Sequence, residues 1–121
     1  MQGELELLPS KERKRHEREG LEAIRRGERR VRRQTLDLAL RLAELWLRDM
    51  LCICEGAPEL VHAVDRRSQL EHDAGAQNGD GARVREAMEL IADTRLSLPL
   101  NVSEELALEA LAYRLEALLV A

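Results

Sequence analysis

Between residues 31 and 54 the apolar positions leave room for only one narrow polar stripe on a helix. From residue 36 onward, four charged side chains of this segment recur at spacings of four, three and four residues: Asp37, Arg41, Glu44 and Arg48. Almost every other position is apolar, and a helix that is apolar on most of its circumference has neighbours on several sides. We therefore predict that residues 31–54 form the central, mostly buried helix of the fold.

The residues that follow predict shorter helices separated by turns. Gly56 can end the central helix, because glycine is a common residue just beyond a helix C-terminus. Asp65 then caps a short helix, and the glycine-rich run 75–81 predicts a loop. Residues 82–96 place apolar side chains at helical spacing opposite charged ones, which predicts an amphipathic helix.

The chain closes with a capped, leucine-rich helix. Pro99 ends the preceding helix, because the residue before a proline is disfavoured in the α region. Asn101 offers an N-cap oxygen, and Glu104 can reach back to the cap's own amide. Nothing in the pattern predicts a strand. The sequence therefore predicts an all-α fold, a single compact bundle of about five helices over residues 31–121 around the 31–54 helix.

Residues 1–30 differ from the rest because they form a basic, charged lead-in. Residues 1–33 carry eleven Lys and Arg against seven Asp and Glu, whereas residues 34–121 carry eight against sixteen. Gly20 and Gly27 each weaken a helix by about 1 kcal/mol relative to alanine. We expect this lead-in to be helical or partly disordered.

No set of residues in the sequence predicts catalysis. Cys52 and Cys54 project about 200° apart on a helix, and zinc needs further ligands at set spacing, so we expect both to pack as small apolar side chains. The three histidines are scattered, and the phosphate-binding patterns GxxxxGK[ST] and GxGxxG are absent. Trp46 is expected to anchor a core or an interface. We expect no catalytic, cofactor or metal site and no small-molecule ligand.

Targeting signals are equally absent from the sequence. Met1 is followed by no basic segment and apolar run of a signal peptide, and no uninterrupted apolar run reaches the length of about 18 residues that spans a bilayer. We therefore expect a cytoplasmic protein with no membrane partner.

Two runs resemble one known family. Trp46-Leu47-Arg48-Asp49, within a leucine-rich helix, and the closing Asn101-Val-Ser-Glu-Glu-Leu-Ala-Leu-Glu-Ala-Leu are similar to two motifs in the C-terminal domain of the bacterial DNA polymerase III delta-prime subunit, a clamp-loader component. The resemblance covers residues 25–120. Glu104 departs from the family, which usually has proline there, although both residues suit the first turn of a helix.

The resemblance implies a collar domain. In this family the C-terminal domains of the clamp-loader subunits associate side by side into a ring, and that ring supports the ATPase-like domains that load the sliding clamp in DNA replication. It implies that this chain lacks the ATPase-like domains and is not itself an enzyme, that its partners are the other clamp-loader subunits, and that it makes no direct contact with DNA. The family-like positions, with packing and capping roles, are Trp46, Arg48, Asp49 and Asn101.

A second interpretation stays open, in which the chain is a small helical protein that binds nucleic acid through a basic arm. Lysine and arginine between residues 11 and 33 could follow the phosphates of DNA or RNA. The acidic remainder of the chain opposes this interpretation, and no helix-turn-helix pattern supports it.

Overall fold

The computed structural model describes residues 10–100 and 103–120. Most of them lie in four α-helices: α1 is Ser10–Cys54, α2 is Arg67–Ala76, α3 is Gly81–Ser97 and α4 is Glu104–Leu119. Three short 3₁₀ turns lie between the helices: Pro58–Leu60, Val64–Arg66 and Leu98–Leu100. The described residues contain no strand. The all-α class is therefore confirmed, with four helices in place of about five.

Helix α1 is longer than the predicted central helix. It contains 45 residues, because the charged lead-in and the 31–54 segment belong to the same helix. Gly20 and Gly27 lie inside it without a break. Their unfavourable helix propensity is offset by the arginine and glutamate residues around them, which are good helix formers. The predicted boundary between the lead-in 1–30 and the domain 31–121 stays a prediction.

Two compact units make up the chain, and the division falls after Leu36. In the N-terminal unit, residues 10–36 expose nearly every side chain to solvent. Leu21, Ile24 and Val31 are all more than half exposed. The described residues of this unit therefore form a helix without a hydrophobic core of its own.

The C-terminal unit contains the hydrophobic core, to which every helix of the unit contributes a stripe. The buried apolar side chains of this core are Leu47, Met50, Val61, Leu70, Val84, Ala87, Ile91 and Leu111. The prediction that residues 31–54 are mostly buried is wrong for the first half of that segment, since Leu38 and Leu42 are 57% and 58% exposed. Within the described part of this unit, only one side of α1 is packed.

Gly56 ends α1 as predicted, through a left-handed turn. Its φ is +76°, a conformation that glycine adopts without steric cost. The Gly56 amide donates to the Ile53 carbonyl at 3.1 Å, and the Ala57 amide donates to the Cys52 carbonyl at 2.8 Å. This pair of bonds is the Schellman motif, which satisfies carbonyls that the helix end would leave unpaired.

The predicted loop at 75–81 is shorter in the structure, because α2 continues through Gly75 to Ala76. Asn78, with φ +57°, takes the left-handed position that ends α2, and asparagine tolerates that position better than most residues. Asp80 then caps α3, accepting from the amides of Ala82 at 3.1 Å and Arg83 at 3.4 Å. The connection between α2 and α3 is therefore a tight turn.

The predicted cap of α2 is wrong. Asp65 lies in the 3₁₀ turn Val64–Arg66, and α2 begins only at Arg67. That turn runs directly into α2, since the Arg67 amide donates to the Val64 carbonyl. The Val64 carbonyl thus pairs with the first amide of α2, a role that was expected of the Asp65 carboxylate.

Candidate assembly surface

The most buried charged group of the C-terminal unit is Asp49, on the last turns of α1. The residue is 1% exposed. One carboxylate oxygen accepts from the His62 amide at 2.9 Å, and the other accepts from the Ala63 amide at 3.0 Å. These amides lie between two 3₁₀ turns, where the irregular backbone offers them no helical carbonyl. Asp49 therefore ties the connection between α1 and α2 to the side of α1.

The pKa of Asp49 reflects both its burial and its hydrogen bonds. Burial raises the pKa, but the backbone amides of Ala63 and His62, together with the His62 side chain, outweigh burial and hold the pKa below its usual range. The buried carboxylate is thus ionised at neutral pH. Nearby positive charge comes from Arg48, whose Nη1 lies 3.8 Å from Asp49 Oδ1.

Arg48 also contacts the connection that Asp49 holds. Its Nη1 lies 2.7 Å from His62 Nδ1. The family-like pair Arg48 and Asp49 therefore acts on one loop, with Asp49 binding its backbone and Arg48 binding a side chain.

Trp46 connects α1 to α2. Its indole Nε1 donates to Asp73 Oδ2 at 2.8 Å, and the other oxygen of Asp73 accepts from Gln69 Nε2 at 3.1 Å. The ring packs half-buried against the hydrophobic core. The expectation that Trp46 anchors a core or an interface is met within the chain, where the ring joins two helices through a polar tip.

A third connection links α1 to α3 and was missed by sequence reasoning. Arg95 donates from Nε to Asp37 Oδ1 at 3.0 Å and from Nη1 to Glu44 Oε1 at 2.9 Å. The sequence pattern put Asp37 and Glu44 on the polar stripe of the central helix, four residues before Arg41 and Arg48. Only the Asp37–Arg41 pair forms, at 2.9 Å. Two carboxylates seven residues apart, on one helix face, were the signal that a single guanidinium could bridge them.

The fourth family-like position, Asn101, lies outside the described residues. The cap predicted for it is occupied by another residue, because α4 begins at Glu104 with Ser103 as its N-cap. Ser103 Oγ accepts from the Leu106 amide at 3.2 Å. Glu104 is then the first residue of the helix and not the third, and the predicted reach of its side chain to the Asn101 amide lies outside the described residues. Serine and asparagine are comparable N-cap residues, and the one that directly precedes Glu104 is used.

Neither cysteine has a metal-ligating or disulfide partner among the described residues. Cys52 and Cys54 are free thiols of intermediate burial, and both pack against the core. Burial raises the pKa of the Cys54 thiol, and the charges of Glu55 and Asp80 raise it further, which keeps the thiol protonated at neutral pH. Residues 10–100 and 103–120 contain no group of three or more His, Cys, Asp or Glu side chains placed to hold a metal ion.

Large apolar side chains are exposed in several parts of the C-terminal unit, including Leu96 on α3 and Leu60, Val64 and Leu100 on the 3₁₀ turns. Two further helices each carry three of them. On α1 they are Leu38, Leu42 and Leu45, and on α4 and its C-terminal cap they are Leu106, Tyr113 and Val120. Leu45 is 45% exposed and Tyr113 is 75% exposed. Clustered exposed apolar groups bordered by charge are typical of protein interaction sites. These two faces are the candidate assembly surface.

The N-terminal unit presents a different surface. Arg26, Arg29, Arg30 and Arg33 line one shallow depression, together with Gln34. Their spacing of three and four residues puts them on one side of the helix. A stripe of guanidinium groups of this kind can bind phosphates or carboxylates.

Comparison with protein-family models, with curated proteins and with solved structures finds no match to this chain. Among the helices of the described ranges, none has both the length and the apolar character that crossing a membrane requires.

Proposed function

We propose that this chain is a non-catalytic helical assembly domain, of the collar type found at the C-terminus of the delta-prime clamp-loader subunit. In this role it binds neighbouring clamp-loader subunits in the cytoplasm and supports sliding-clamp loading during DNA replication. It takes no cofactor and no small-molecule substrate. The observation that carries the proposal is the pair of exposed apolar faces on α1 and α4, together with the motif resemblance around Trp46 and Asp49.

The exposed faces favour an assembly role because a solvated helix face usually carries polar and charged side chains. Leu38 and Leu42 lie on the helix that also supplies Leu47 and Met50 to the core. Helix α1 therefore carries one apolar stripe that packs into the core and a second apolar stripe that is exposed to solvent. Burying an exposed leucine side chain contributes about 1.5–3 kcal/mol, so covering several of them by a neighbouring subunit stabilises an assembly.

Side-chain contacts between the elements of the C-terminal unit hold the backbone of α1, and with it the apolar face of α1, in a fixed position. Asp49 binds the α1–α2 connection, Trp46 binds α2 through Asp73, and Arg95 joins α3 to two carboxylates of α1. The family-like residues Trp46, Arg48 and Asp49 thus act by positioning α1. This role agrees with the packing that the resemblance implies.

Co-purification with the other clamp-loader subunits tests the proposal. We expect the chain to be retained by them, and the Leu42→Glu variant to be retained at least tenfold less, because a charge replaces an apolar contact. Leu60→Glu is the matched control, since Leu60 is equally exposed, at 58%, on a 3₁₀ turn that belongs to neither face. No retention of the unaltered chain, or equal loss by both variants, would exclude the collar role.

The arginine stripe favours a second candidate function, binding of nucleic acid by the N-terminal unit. Arg26, Arg29 and Arg30 are exposed on one side of the helix. We expect any such binding to weaken steeply as salt rises, because phosphate neutralisation releases counterions. A titration of duplex DNA at low salt with the chain and its Arg26→Glu/Arg29→Glu/Arg30→Glu variant tests this function. Equal binding of DNA by the unaltered chain and the variant would exclude the arginine stripe as the binding site.

A further inference from the structure

The two apolar faces of the C-terminal unit have the spacing of coiled-coil seams. On α1 the exposed positions Leu38, Leu42 and Leu45 are four and three residues apart. On α4 and its cap the exposed positions recur at spacings of four, three, four and three: Leu106, Ala110, Tyr113, Ala117 and Val120. Alternating steps of three and four residues place side chains in one line along a helix and suit pairing with another helix.

The charges beside the two seams are opposite in sign and equal in spacing. Arg41 and Arg48 are seven residues apart on α1, and Arg41 directly precedes the seam residue Leu42. Glu109 and Glu116 are also seven residues apart on α4, each directly before a seam alanine. In the heptad abcdefg, these seam residues are at a and d, and all four charged residues are at g. Charge at that position sets partner choice and orientation. In an antiparallel pair of helices, that position of one helix lies beside the same position of the other.

One register satisfies the seams and the charges together. With Leu42 opposite Tyr113 in antiparallel helices, Leu45 faces Ala110 and Leu38 faces Ala117. Large side chains of α1 then meet small ones of α4 on both sides of the Leu42–Tyr113 contact. The same register brings Arg41 near Glu116 and Arg48 near Glu109.

The present contacts of the two arginines leave them available. Arg41 pairs with Asp37 at 2.9 Å, but its side chain is 60% exposed, and an exposed ion pair four residues apart on a helix contributes little to stability. Arg48 contacts His62 with its side chain 42% exposed. Both guanidinium groups can therefore take a second carboxylate without leaving a buried charge unpaired.

We propose that α1 of one copy of this chain pairs antiparallel with α4 of a second copy through these faces. Because the two faces differ, the contact is head-to-tail, and each copy keeps one free face for a further copy. Such contacts form a ring when the rotation closes and an open chain when it does not. The inference goes beyond the proposed function, since the partner is the same chain and no other clamp-loader subunit takes part.

Sedimentation of the full chain and two single variants tests the pairing. The unaltered chain is expected to sediment above its monomer mass of 13.8 kDa, with a mass that rises with protein concentration. Leu42→Glu removes the α1 face and Tyr113→Glu removes the α4 face, so each variant alone is expected to be monomeric. Mixed in equal amounts, they are expected to form a dimer and nothing larger, because one intact face of each kind remains. Leu60→Glu serves as the control and is expected to associate like the unaltered chain.

Several results would overturn the inference. Association of Tyr113→Glu alone would indicate pairing of α1 with α1, and association of Leu42→Glu alone would indicate pairing of α4 with α4. A monomeric mixture, a monomeric unaltered chain, or equal loss of association in Leu60→Glu would also contradict it. Retention by the other clamp-loader subunits is measured separately, so a failure here is distinguishable from a failure of the proposed function. Circular dichroism of each variant verifies that the helices remain folded.

Discussion

The N-terminal and C-terminal units present apolar side chains at similar helical spacing, yet only one of them has a core. In the N-terminal unit Leu21, Ile24 and Val31 stand exposed among charged residues. In the C-terminal unit, Leu38 and Leu42 are equally exposed, but the other side of the same helix contributes Leu47 and Met50 to the hydrophobic core. Periodicity alone therefore does not decide burial. The difference between the two exposed stripes is that only the stripe of the C-terminal unit lies on a helix that is packed on its other side.

The largest expected difference between the units comes from truncating one leucine in each. Leu70 is fully buried in the core and Leu21 is 55% exposed. Leu70→Ala is expected to lower the free energy of unfolding by about 2–5 kcal/mol, and Leu21→Ala by less than about 0.5 kcal/mol. Urea denaturation followed by circular dichroism measures both. Similar losses would mean that the N-terminal unit has a core after all.

A smaller loss is expected when the charge of Asp49 is removed. Asp49→Asn keeps the shape but turns an amide NH₂ group toward one of the two backbone amides that the carboxylate binds. We expect a loss of about 2 kcal/mol in the free energy of unfolding, the cost of an unsatisfied buried donor. Asp65→Asn, at an exposed position of the 3₁₀ turn, is the control and should have almost no effect. Equal stability of Asp49→Asn and the unaltered chain would refute the anchoring role.

The contact between Trp46 and α2 is expected to contribute less. Trp46→Phe removes the donor to Asp73 but retains most of the ring, so we expect a loss of about 1 kcal/mol in the free energy of unfolding. The same variant should increase hydrogen exchange of α2 amides more than that of α3 amides, because the bond ends on α2. A uniform increase over both helices would indicate that the ring acts through packing alone.

The smallest expected effect is a pH dependence of the C-terminal unit. The pKa of Asp49 is depressed in the folded chain, so below the ordinary value of about 3.9 the unfolded chain binds more protons. Stability from this group is present above that pH and is lost as pH falls toward the folded pKa. The stability difference between the unaltered chain and Asp49→Asn should therefore shrink on acidification from pH 5 to about 3. A stability difference that stays constant over this pH range would contradict the lowered pKa of Asp49.

Local signals in the sequence predicted the helices and the turn at Gly56, because helical periodicity and a left-handed residue depend only on neighbouring positions. Competing local signals misplaced the cap of α4, since Ser103 and Asn101 are both good caps two residues apart. The spacing of Asp37 and Glu44 suits a bridging guanidinium, but that Arg95 supplies it could not be predicted, because Arg95 lies 58 and 51 residues away from them. Sequence reasoning also assumed that apolar stripes on α1 are covered within the chain. Composition does not distinguish a side chain covered by its own fold from one covered by a neighbour.

The central claim is that the C-terminal unit, and not the arginine-rich N-terminal unit, provides the assembly surface. Hydrogen–deuterium exchange of the full chain, first alone at a concentration where it sediments as a monomer and then mixed with the other clamp-loader subunits, tests this claim most directly. The predicted result is increased protection over residues 38–45 of α1 and 106–120 around α4, with little change over residues 11–33. Protection confined to residues 11–33, or no change in either unit, would contradict the account.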